Sequence, residues 1–114
     1  MKEQYSIGID VGGTNTDIGL VNEKGTIVAR TNFSTAEHND INVYMDTIAE
    51  KVHGLLSDNN VKEIEGVGIG APNGNYYTGC IDNAPNLHFG GNIKVKEMLE
   101  SRLGVPVVLS NDAN

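Results

Sequence analysis

The chain has 114 residues, 15 Asp and Glu against 8 Lys and Arg, a formal net charge of −7 and a single cysteine. That length holds one domain, and 39% hydrophobic with 20% charged residues suits a soluble globular fold rather than a disordered tail. The acidic balance argues against a nucleic-acid or anionic-membrane surface, and no apolar run approaches the roughly 18 residues of a membrane span or reads as a signal peptide. Cys80 alone forms neither an internal disulfide nor a cysteine-based zinc site, which fits a reducing cytoplasm. Glycine supplies 14 of the 114 residues, against a usual ~7%, so the positions of the glycines carry information.

Tyr5-Ser6-Ile7-Gly8-Ile9-Asp10-Val11 alternates apolar with small or polar residues, the period of a strand. Gly12-Gly13-Thr14-Asn15 breaks it. Strands are predicted again over 16–21 and 26–30, with a turn at Asn22-Glu23-Lys24-Gly25, giving an antiparallel meander. A helix follows, capped by Asp40, with Ile41, Tyr44, Met45, Ile48, Val52, Leu55 and Leu56 on one stripe and its end at residues 57–60. Val67-Gly68-Ile69-Gly70-Ala71-Pro72 reads as a strand running into a loop. Residues 73–91 lack a clear period, apart from a short strand expected near 79–81; a loop of that length in a compact domain is usually functional. A second helix is expected from near Asn92, with Gly104 as its C′ residue and Pro106 just beyond. Residues 106–110 form a buried strand before Asn111-Asp112-Ala113-Asn114. The order βββ-α-β-α-β implies an α/β fold with a mixed five-stranded sheet, its last two strands parallel to the first.

Three segments carry candidate chemistry. In Asp10-Val11-Gly12-Gly13-Thr14-Asn15-Thr16, the glycine pair allows positive φ and brings backbone N–H groups close to a ligand. The Thr14 hydroxyl adds a donor, and Asp10 would hold a hydrated Mg²⁺ facing phosphate oxygens. A strand rather than a helix follows, so this is no dinucleotide fingerprint, and it lacks the Gly-Lys of a Walker loop. A plain hairpin turn is the alternative. In Ser110-Asn111-Asp112-Ala113-Asn114, a carboxylate at the C-terminal end of a parallel strand sits where open α/β sheets bind ligands, and it would serve as a general base beside an orienting Asn amide. The alternative is the N-cap of a following helix. In Gly68-Ile69-Gly70-Ala71-Pro72-Asn73-Gly74-Asn75, backbone and amide groups would bond a polyhydroxylated ligand, or simply form a tight turn. His38, His53 and His88 share no metal-ligand spacing. Tyr76 and Tyr77 would stack on a sugar or line a loop, and Cys80 reads as a small buried hydrophobe.

Taken together, these residues resemble the N-terminal half of a sugar kinase of the ROK family (repressor, open reading frame, kinase), the bacterial glucokinase-like group. Gly8-Ile9-Asp10-Val11-Gly12-Gly13-Thr14 is similar to the family's first phosphate loop. Val67 to Pro72 looks like its connecting strand, followed by the matching Gly79 and Asn86-Leu87. Residues 106–114 look like its strand ending in the catalytic Asn-Asp. The resemblance spans the chain in order.

It implies a ribonuclease H-like (actin-like ATPase) lobe over 1–114 whose final helix and second lobe are missing. It also implies ATP-dependent phosphorylation of a hexose, with glucose as default, although kinases of N-acetylmannosamine, N-acetylglucosamine, fructose and allose share these motifs. Asp112 would be the general base toward the sugar hydroxyl, with Asn111, Gly74 and Asn75 also binding the sugar. Gly12, Gly13 and Thr14 would approach the ATP phosphates, and Asp10 the Mg²⁺, through water. A structural zinc and the remaining sugar ligands are expected only beyond Asp112. The expected partners are hexose and ATP, with no nucleic acid or membrane, and a homodimer. Many relatives place a basic residue after the Gly-Gly-Thr; Asn15 and Asp17 stand here instead, so no charged clamp is expected. One lobe of a two-lobed cleft cannot exclude water from phosphoryl transfer, so these residues alone are expected to be inactive, and an uncovered apolar strip of the sheet to make them self-associate. Rival readings are a ROK transcriptional regulator, opposed by the acidic charge, and a non-kinase actin-like ATPase lobe, opposed by the Asn-Asp.

Overall fold

The alternation at the N-terminus becomes three long strands in the computed structural model, which describes residues 4–37, 40–72, 74–82 and 92–111. β1 (Tyr5–Val11) pairs antiparallel with β2 (Asn15–Asn22), and β2 with β3 (Ile27–Ser34). β3 runs four residues past the expected end at 30, because its register with β2 continues through Asn15↔Ser34. α1 (Ile41–Asp58) starts where Asp40 accepts hydrogen bonds from the amides of Asn42 (2.8 Å) and Val43 (3.3 Å). Tyr44, Met45, Ile48, Ala49, Val52 and Leu55 form its buried face.

β4 (Val67–Ala71) returns parallel to β1, and β8 (Val107–Asn111) parallel to β4, giving the sheet order β3-β2-β1-β4-β8. This is the mixed five-stranded sheet expected from the element order. Between them, β5 (Gly74–Asn75), β6 (Cys80–Asp82) and β7 (Asn92–Ile93) make a second, antiparallel sheet. α2 (Val95–Leu103) therefore begins three residues later than expected: Asn92 and Ile93 pair with Asp82 and Ile81 instead of opening the helix. Gly104, at φ 70°, closes α2 in the left-handed conformation and donates to the Glu100 carbonyl (2.9 Å). The Glu100 carboxylate accepts from the Val107 amide (3.0 Å), fixing the entry to β8.

One face of the large sheet carries Ile7, Ile9, Val11, Ile18, Leu20, Val67, Ile69, Ala71, Val107 and Leu109, all buried with the inner faces of α1 and α2 in one core. The other face carries Gly8, Asp10, Asp17, Gly19, Gly68, Gly70 and Ser110, with Ile27 and Val108 as exposed apolar residues. Among the described residues this face is thus mostly glycine and polar, not the apolar strip expected. No helix among the described residues is long and apolar enough to cross a membrane.

Candidate functional site

The register brings the carboxyl ends of three parallel strands to one edge. Asp10 lies opposite Gly70, Gly70 opposite Ser110, and Ala71 opposite Asn111. Strands about 4.8 Å apart put β1 and β8 about 10 Å from each other across β4. Open α/β sheets take their ligands at this edge. A hollow of about 630 Å³ lies at the opposite edge, against Tyr5 and residues 60–65, where β1 and β4 begin. None of the candidate residues line it.

At the end of β1 the chain turns within four residues: the Gly12 amide donates to the Asn15 carbonyl at 2.9 Å. A Cβ on Gly12 would stand 2.9 Å from that same oxygen. Glycine is needed here for close approach of backbone, since its φ lies outside the left-handed region. The Gly12 N–H is therefore engaged within the turn, whereas the amides of Gly13 and Thr14 have no acceptor among the described residues. Thr14 is exposed, and its carbonyl accepts from the amides of Thr35 (2.8 Å) and Ala36 (3.4 Å).

Asp10 is exposed and stands opposite Asp17 on β2, with Asn32 beyond Asp17 on β3. These side chains share a shallow depression of about 360 Å³ with Gly8, Gly19 and Gly68. Among the described residues no cluster of three or more His, Cys, Asp or Glu could enclose a metal. A solvent-open carboxylate is nonetheless the donor type that suits Mg²⁺, which keeps several waters and is completed by substrate phosphates.

Beyond β4, Gly74 is wedged against the end of β8. A Cβ there would lie 2.5 Å from the Ser110 carbonyl oxygen and 3.2 Å from that of Ala71. Asn75 shapes the hairpin that follows: its Oδ1 accepts from the amides of Tyr77 (2.9 Å) and Thr78 (3.3 Å), and its carbonyl from Gly79 (2.8 Å). Tyr76 and Tyr77 stand edge to face, 5.5 Å between centroids, and both are exposed on this turn. Gly74 and the Ser110–Asn111 end of β8 are thus brought together, and Asn111 closes β8. Asn73, Asp112, His38 and His88 lie outside the described residues. His53 is exposed on α1, and Cys80 is buried as expected.

One buried polar group has no mark in the sequence pattern. Thr16, Thr35 and Tyr44 meet behind the first loop, with Thr16 Oγ1 2.6 Å from Thr35 Oγ1 and 2.6 Å from Tyr44 Oη. Burial pushes the Tyr44 phenol up to about 12, against the hydrogen bonds with Thr16 and Thr35, which pull it down. Tyr44 lies on the apolar stripe of α1 and reads as core; its partners, 28 and 9 positions earlier, come from β2 and from the segment just past β3.

Comparison with known proteins agrees with this arrangement. The chain is 37% identical over 110 residues to a glucokinase of Streptomyces coelicolor, covering 96% of this chain and 33% of that protein. It is 31% identical over 115 residues to a putative xylose repressor of a Caldicellulosiruptor species, covering 95% of this chain and 28% of that one. It superposes on the crystal structure of a ROK family glucokinase from Streptomyces griseus in complex with glucose and AMPPNP with a TM-score of 0.78 at 33% identity, covering 96% of this chain and 34% of that one. The chain therefore spans about a third of the length of these relatives, and its fold is that of an actin-like ATPase lobe. The model of the ROK family matches residues 6–114, and the chain belongs to that family.

Proposed function

We propose that the complete protein is a sugar kinase that transfers the γ-phosphoryl group of ATP to a hexose, with glucose the first substrate to test. The observation that carries this reading is the convergence of Gly12-Gly13-Thr14, Gly74-Asn75 and Asn111 at the carboxyl ends of β1, β4 and β8, with Asp112 next in the chain. The likeness to glucokinases supports it.

In this reading Gly12 closes the turn, and the amides of Gly13 and Thr14, with the Thr14 hydroxyl, donate to phosphate oxygens. Asp10 would hold Mg²⁺ through water, and the ion would supply charge neutralisation at the phosphates. Asn75 has its Oδ1 committed to the hairpin, so its amide nitrogen is the group that faces the sugar, beside Asn111. Asp112 takes the proton from the sugar hydroxyl as that oxygen attacks the γ-phosphorus and the bond to ADP breaks. Positioning and charge neutralisation supply most of the catalysis in such transfers.

The test is a sugar panel on the complete gene product, read by coupled ADP release, with Asp112→Asn alongside. The variant should lose about 10²- to 10⁴-fold in kcat and keep its sugar affinity. Near-normal turnover would remove Asp112 from the base role. Sugar binding with no ADP release from the wild type would favour a sugar-responsive regulator, the reading that the likeness to the repressor supports.

A further inference from the structure

Thr16 and Thr35 are buried polar residues with no exposed surface at all, and they sit directly behind the loop that joins β1 to β2. A hydroxyl loses free energy on leaving water unless it is hydrogen-bonded, and valine would fill nearly the same space without that requirement. The two threonines and Tyr44 satisfy one another, and no buried side-chain N or O among the described residues lacks a partner. Their location is specific. Thr35 holds the loop and the strand that leaves it, through its amide to the Thr14 carbonyl (2.8 Å) and through its hydroxyl to Thr16 (2.6 Å). Thr16 is the first inward residue of β2, one position after the turn closes on Asn15. Tyr44 comes from the first turn of α1, where its amide donates to the carbonyl of the capping Asp40 (3.0 Å), and its ring leans on Phe33 at 5.6 Å. The loop itself holds one backbone bond, from Gly12 to Asn15.

We propose that the Thr16–Thr35–Tyr44 hydroxyl cluster is a positioning device that presents the Gly13 and Thr14 amides to the nucleotide's phosphates. The inference rests on reading residues 12–14 as a phosphate loop. Donors act best on phosphates when their orientation is set before the ligand arrives, and the cluster sets it from two strands' ends and a helix at once. Because burial holds the Tyr44 phenol protonated to about pH 12, the cluster keeps the same hydrogen bonds across any ordinary assay pH.

The experiment uses the complete gene product and Tyr44→Phe, which keeps the ring and removes the hydroxyl. KM for ATP should rise about threefold to tenfold while KM for the sugar stays within about twofold. Thr16→Val should behave in the same way, and Thr16→Ser, which retains a hydroxyl, should restore the wild-type value. Hydrogen exchange without nucleotide should show lost protection at the amides of Gly12, Thr35 and Ala36, with that of Val52 in α1 unchanged. Equal rises in both KM values, or unaltered exchange at those three amides, would overturn the proposal, since a merely structural role lowers stability without such a split. If the wild type binds a non-hydrolysable ATP analogue but phosphorylates no sugar, the kinase reading fails, and the affinity for the analogue decides the proposal in place of KM. If it binds no nucleotide, both fail.

Discussion

Gly8 and Gly68 face each other across the middle of the sheet, and a Cβ on either would meet nothing within 4 Å. Gly12 and Gly74, at the carboxyl edge, have no such room: a Cβ would lie 2.9 Å from the Asn15 carbonyl oxygen in one case and 2.5 Å from that of Ser110 in the other. The same residue type therefore serves two purposes, within the large sheet and at its edge. In mid-sheet the missing side chains leave an open face. At the edge they let separate stretches of backbone approach more closely than any other residue allows. Crowding of the backbone thus separates Gly12 and Gly74 from Gly8 and Gly68.

Substitution by alanine separates the two regions. Gly74→Ala has the largest expected effect, a loss of about 2–3 kcal/mol in urea unfolding, because its neighbour is strand backbone that cannot swing aside. In the complete gene product it should also weaken sugar binding through the displaced hairpin. Gly12→Ala should cost about 1–2 kcal/mol and raise KM for ATP more than KM for sugar, since the added carbon presses on the oxygen that closes the turn. Gly68→Ala should be neutral or stabilise by about 0.5 kcal/mol, as expected for removing a glycine from a strand interior. Equal effects at Gly74 and Gly68 would erase the distinction.

The parts of the fold that were legible are those specified by neighbours in sequence. Ile7, Ile9 and Val11 alternate because every second side chain of a strand points inward. Asp40 caps α1 through amides two and three residues ahead, and Gly104 takes up the left-handed turn that stops α2. Where distant partners decide, the pattern was silent. Asn92 resembles a helix start, yet Asp82 claims it for a strand. The end of β3 depends on Asn15, 19 residues before Ser34. Within the site, the Gly-Gly-Thr loop and the Asn-Asp stood out as strings of residues. The commitment of the Gly12 amide to Asn15, and of the Asn75 Oδ1 to its own hairpin, are properties of geometry alone. The hydroxyl cluster was hidden for the same reason, since a tyrosine among Met45, Ile48 and Val52 declares its ring but not its oxygen.

The sheet register also implies an order of folding that pulse-labelled hydrogen exchange would read. β1 meets β2 across a four-residue turn, whereas Ile7 finds Val67 only 60 residues later, and Val67 finds Val107 after a further 40. Closing a short loop costs less entropy than closing a long one, and pairings far apart in sequence form slowly. The meander that contains Gly12 and Thr14 is therefore expected to pair before the more distant strands join it. The edge that holds Gly74 against Ser110 waits for the last strand. On that order the Gly12–Thr14 end of the edge comes first, and the Gly74–Asn111 end is completed only when β8 docks.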